Sequence, residues 1–249
     1  MAPFKSGGSG TDNAVERDVE KAMGGRQQQR RRSGQGSLWA AVGVACLLTL
    51  VVQVSDGRAQ EGFREQIIPI LGVIYEEEPV GTVTHLILSM NVREDDRGLA
   101  VHFKNRPGRF SHMAQTAIQQ AIYRSARALG QSPNSWTVVL SLPYQGVTIY
   151  GDSLSAMVGL SVVALANGKF VLPGRVITGT VTPDGHIGTV SAVPLKVVAA
   201  SKAHMQRILV PDEQDVTDAD WKTPFLVQIS PVHSVRQAYE ALTAMQQVR

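Results

Sequence analysis

A chain of 249 residues, 43% of them hydrophobic, can bury one good core but not two. Its 24 Lys and Arg exceed its 21 Asp and Glu by three, and residues 1–36 alone carry that surplus, seven basic against four acidic. The remainder is neutral, which argues against nucleic acid as a partner, and the single cysteine, Cys46, excludes an intrachain disulfide or a cysteine-cluster metal site.

Residues 1–36 are rich in Gly, Ser, Gln and Arg with few large apolar side chains, which predicts a disordered basic tail. Ser37 to Val54 then runs eighteen residues without a formal charge, close to the roughly 20 needed to cross a bilayer. Basic residues crowd its N-terminal side, so the positive-inside rule leaves the N-terminus in the cytoplasm and the rest of the chain beyond the membrane. An uncleaved single-pass anchor over residues 37–54 is favoured over a signal peptide. The rival would end near Gly57-Arg58-Ala59 and release a secreted protein. Residues 55–65 read as a polar linker, and residues 66–249 as the folded domain.

Within that domain Val83–Val92 and Leu99–Phe103 have strand character. The charged stretch Arg93 to Gly98 between them suits a hairpin connection. Ser111 to Leu129 is the clearest helix, capped by Ser111 and ended by Gly130. Strands are expected at Trp136–Leu142 and Val147–Tyr150, then a helix over Ser155–Ala166 closed by Asn167-Gly168. A strand over Val176–Thr182 should turn at Pro183-Asp184-Gly185 into His186-Ile187. Pro194–Met205 reads as a helix with proline in its first turn. Arg207–Val210 and Phe225–Ile229 are short strands, and Ser234–Val248 is a final amphipathic helix. Mixed strands and helices around one core give an α/β or α+β domain.

The chemistry concentrates in Tyr150-Gly151-Asp152-Ser153-Leu154-Ser155-Ala156-Met157 and in Lys196, 41 residues beyond Ser155. Ser155 heads an apolar helix, and Lys196 stands alone among apolar neighbours, where desolvation lowers an amine's pKa. Such a pair can cleave amides without histidine. The bland readings are a helix-capping serine and a lysine whose stem lies on the core while its head reaches water. Asp152 serves a turn or a function equally well, and Glu76-Glu77-Glu78 reads as a solvated charge run. His85, His102, His112, His186, His204 and His233 show no metal-ligand spacing such as His-Glu-x-x-His and read as structural or surface residues.

The ordered set of strings resembles the proteolytic domain of Lon proteases. That family's nucleophile lies in Pro-Lys-Asp-Gly-Pro-Ser-Ala-Gly, which Tyr150 to Met157 meets without gaps, matching at Asp152, Ser155 and Ala156. The family's Thr-Gly strand, Gly-containing turn, lysine helix with Ala-Ala and closing apolar strand look like Thr178-Gly179, Asp184-Gly185, Lys196 with Ala199-Ala200, and Ile208 to Pro211. The resemblance covers about residues 66–245. It implies a serine endopeptidase in which Ser155 attacks, Lys196 takes the proton and Thr178 orients the amine. Backbone N–H groups around Ser155 would hold the oxyanion. It also implies a polypeptide substrate, no cofactor and a possible homo-oligomer. No Gly-x-x-x-x-Gly-Lys-Ser/Thr loop occurs, so the likeness is to the peptidase part alone, acting without ATP on flexible or unfolded chains. Two departures stand out: Met157 replaces the glycine after Ser-Ala, and Ser191-Ala192 replaces a Gly-Gly before the lysine helix.

Two other readings compete. A Lon-like fold could bind peptides or a partner without cutting. Alternatively, Gly151-Asp152-Ser153-Leu154 spells the string of a large esterase family, with Ser153 as nucleophile. That family needs an Asp-x-x-His, which the chain lacks.

Overall fold

The computed structural model describes residues 63–213 and 227–244. The expected tail, the anchor at 37–54, most of the linker, the start of the Phe225 strand and the end of the last helix lie outside them. Among the described residues no helix is long and apolar enough to cross a membrane.

The described chain is a mixed α/β domain. It opens with two long antiparallel strands, β1 (Arg64–Tyr75) and β2 (Pro79–Val92), paired over their length from Arg64 with Met90 to Tyr75 with Pro79. Glu76-Glu77-Glu78 is the exposed turn between them. Strand β1 had no counterpart among the expected elements, and it begins two residues inside the expected linker. Its apolar run contains Pro69, which reads as a strand breaker. Proline is tolerated here because β1 is the edge of its sheet and needs only one paired side.

Next come β3 (Ala100–Phe103), β4 (Arg109–Phe110), α1 (His112–Ala128), β5 (Trp136–Ser141) and β6 (Thr148–Ile149). The four-stranded sheet has the order β1-β2-β5-β3, so β2 and β3 are not a hairpin, contrary to the sequence expectation. Strand β5 lies between them, antiparallel to β2 and parallel to β3. Parallel strands need a long crossover, and α1 supplies it. Arg93 holds the segment in this path. Its guanidinium reaches Asp95 at 2.8 Å, Gly98 O at 2.6 Å, Asn134 O at 2.9 Å and Trp136 O at 2.8 Å, tying the charged loop to the start of β5.

The remaining elements are α2 (Ser155–Ala166), β7 (Arg175–Ile177), β8 (Thr180–Val181), β9 (Ile187–Gly188), α3 (Val193–Lys202), β10 (Arg207–Pro211), β11 (Gln228–Val232) and α4 (Val235–Thr243). Strands β11, β10 and β7 form a second, parallel sheet, and β8 with β9 is a tight hairpin. Two expected caps are present: Ser111 accepts the Ala114 N–H at 3.2 Å, and Gly130 follows α1 with φ +74°.

Helix α2 is the centre of the described domain. Every residue from Ser155 to Leu165 is buried, so it is apolar all round rather than amphipathic. Helix α1 crosses it closely at Gly159, where a Cβ would lie 2.8 Å from the Ala121 carbonyl oxygen. The core takes Leu86, Leu88 and Met90 from β2 and Val138 and Leu140 from β5, all at most 1% exposed.

Candidate active site

Three segments meet at the N-terminal end of α2. The first is the turn after β6. Gly151 holds φ +81°, which glycine adopts without a Cβ penalty, and the Ser155 N–H donates to the Asp152 carbonyl at 2.9 Å, closing the turn into the helix. The cap position belongs to Leu154, with no side-chain capping bond. Ser155 is therefore the first helical residue and not a cap, and it is 2% exposed.

The second segment is Thr178-Gly179. The expected continuous strand over Val176–Thr182 breaks there into β7 and β8, because the backbone turns its hydrogen bonds to the serine loop. The Gly179 N–H donates to Ser153 O at 2.9 Å, and the Ala156 N–H donates to Gly179 O at 3.1 Å. Thr178 is fully buried, and its hydroxyl donates to Ser153 O at 3.5 Å, a long bond. That leaves its lone pairs able to accept from an ammonium.

The third segment is the start of α3, which carries Lys196. This lysine is 3% exposed, so it is not a surface lysine with its head in water. Burial pushes its amine down from the ordinary 10.5 to about 8, against the opposing pull of the Asp152 carboxylate. Helix α3 can lie this close because Gly81 in β2 has no side chain. A Cβ there would collide with the Leu195 carbonyl oxygen and sit 3.1 Å from the Ala199 methyl group.

The two departures from the Lon pattern have plain structural correlates. Met157 is fully buried in the core and does not line the cleft. Ala192 precedes α3 with φ 56° and ψ 35°, a left-handed conformation that glycine holds freely and alanine at a cost of roughly 1 kcal/mol.

A cleft of about 700 Å³ opens over these segments. One wall is Ile70 to Tyr75 of β1 with Thr82 and Thr84 of β2, and the other is Val147 to Leu154. Lys196, Asp152, Ser153 and Ser191 face it, whereas Ser155 and Thr178 are not part of the lining. Apart from Lys196 and Asp152 the lining carries no charge. The β1 wall could not be anticipated, since β1 itself was not.

Of the backbone donors around Ser155, its own amide and that of Ala156 are engaged, by Asp152 O and Gly179 O, so neither is available to a substrate oxygen without opening the turn.

No protein-family model matches this chain, and no curated protein matches it. The resemblance to Lon is therefore one of ordered sequence motifs alone.

Proposed function

We propose that this protein is an ATP-independent serine endopeptidase with a Ser-Lys dyad, tethered to a membrane through residues 37–54 with its domain on the extracytoplasmic side. The reading rests above all on Lys196: a buried lysine, its amine lowered to about 8, facing a cleft beside the serine loop. A buried ammonium is costly, and sequences rarely keep one without a use. Ser155 Oγ would attack a peptide carbonyl as Lys196 accepts its proton. Lys196 would then return that proton to the leaving amine, and water would release the acyl group. Thr178, one residue from Gly179 and bonded to the serine loop, would orient the amine. The substrate would be a flexible or unfolded polypeptide.

One observation favours a second reading. Ser153, not Ser155, lines the cleft with Lys196, so Ser153 is the rival nucleophile, for ester or amide bonds. Serine-reactive probe labelling and peptide hydrolysis by wild type, Ser153→Ala, Ser155→Ala and Lys196→Ala separate the possibilities. The first reading expects labelling and cleavage lost in Ser155→Ala and Lys196→Ala, by roughly 10³-fold or more in rate, and kept in Ser153→Ala. The reverse serine pattern would transfer the role to Ser153. A wild type that neither labels nor cuts would make the domain a binding module.

A further inference from the structure

Two histidines 47 residues apart in sequence meet on the surface, outside the lining of the cleft. His186 leaves the turn of the β8–β9 hairpin, and His233 stands between β11 and α4. Their ring centroids lie 4.3 Å apart with the planes at 43°. The backbone fixes this meeting. Ile187 N–H donates to His233 O at 2.8 Å, Val235 N–H donates to Gly185 O at 3.0 Å, and His186 bridges Ser234 in antiparallel fashion. The His233 N–H is held in turn by Gln237 Oε1 at 2.9 Å.

Each ring is also gripped by a carboxylate. His186 Nδ1 lies 2.7 Å from Asp184 Oδ2, and His233 Nδ1 lies 2.9 Å from Asp212 Oδ2. An ionised carboxylate only accepts, so Nδ1 carries the proton and the lone pair of each neutral ring falls on Nε2. This is the tautomer and the carboxylate support that metal-ligating histidines use. The side chains are 43% and 51% exposed, so an ion can reach them from water.

We propose that His186 and His233 together bind a zinc-like divalent ion through their two Nε2 atoms, clamping the β8–β9 turn to the start of α4. Among the described residues no group of three or more His, Cys, Asp or Glu side chains could hold a metal, so these residues supply two ligands and water would complete the shell. Zinc–nitrogen bonds of about 2.0 Å at a tetrahedral angle put the two nitrogens roughly 3.3 Å apart. With each ring centre about 1.1 Å behind its nitrogen, that geometry puts the ring centres about 5 Å apart, so binding would part the rings somewhat from their present 4.3 Å. Two imidazoles choose zinc over magnesium or calcium, which prefer oxygen ligands. Binding only displaces water from the ion, so no oxidant or other reactant is involved.

The test is calorimetric titration of the untagged full chain with zinc chloride, with magnesium chloride as control. One zinc per chain at a dissociation constant in the micromolar range is expected, with no response to magnesium. His186→Gln and His233→Gln should each weaken zinc by about tenfold or more, and Asp184→Asn should weaken it about tenfold through the ring it supports. Copper(II) gives a readout that does not depend on comparing affinities. Its electron paramagnetic resonance spectrum should show two imidazole nitrogens in wild type and one in either histidine variant. No zinc saturation up to millimolar concentration, or zinc binding unchanged in both histidine variants, would overturn the proposal.

Discussion

Lys196 is the buried cation of the cleft, and its burial has a consequence for stability with a definite sign. Its folded-state pKa of about 8 lies below the ordinary 10.5, so between those values the unfolded chain binds more protons and stability rises with pH. Below pH 8 both states are protonated, and the full cost of burying the ammonium remains, on the order of 3 kcal/mol. Lys196→Met should therefore raise the unfolding free energy at pH 7 by about 1–3 kcal/mol and remove the rise between about pH 8 and 10. Urea unfolding at several pH values measures both, and a variant less stable than wild type would contradict the burial argument. In the proposed mechanism the base must be neutral, so peptide cleavage should climb as pH passes through about 8. This residue was legible in the sequence because a lone lysine in Val193 to Ala200 has nothing nearby to solvate it. The burial of Ser155 was not, since serine before an apolar helix reads first as a cap. The His186–His233 meeting was invisible for a simpler reason: 47 residues separate the two.

At the scale of elements, local signals such as caps and the β8–β9 turn are legible in the sequence, whereas the partners of β2 and β3 are not. Ser111 and Gly130 bound α1 because capping chemistry is carried by the adjacent residues. The partner of β3 depends instead on a crossover through α1 and on the reach of Arg93, neither of which leaves a mark near Ala100. Strand β1 carries Pro69 and apolar residues at successive positions, a pattern without the period of two that marks a half-buried strand. The contact of α3 with β2 is where element packing governs the site. Gly81→Ala should force α3 outward from the Leu195 carbonyl, costing about 1–3 kcal/mol in stability. In the proposed peptidase the same shift should lower kcat/KM by about tenfold or more, since a misplaced base loses its geometry. Thermal melts beside steady-state kinetics would check this, and wild-type values in both for the Gly81→Ala variant would show that the helix gives way freely.

For the described domain as a whole, the mixed α/β class followed from alternating strand and helix patterns, whereas the division into a four-stranded sheet, a three-stranded sheet and two strand pairs did not. A cleft of about 700 Å³ between a hairpin wall and a loop wall admits a few extended residues, not a folded domain. In the proposed peptidase, a reduced and unfolded protein should be cut while its native disulfide-bonded form survives. Gel analysis of the two forms over the same hours decides it, and equal loss of both would sink the idea. The insertion of β5 between β2 and β3 also bears on how the protein is made. During synthesis β1 and β2 emerge first and can zip together, but one side of β2 then stays open until Ser141 has left the ribosome. An unpaired apolar strand edge is where nascent chains stick to one another. A chain that folds in the order of its synthesis would carry that exposed edge until α1 has been made and β5 can pair with β2.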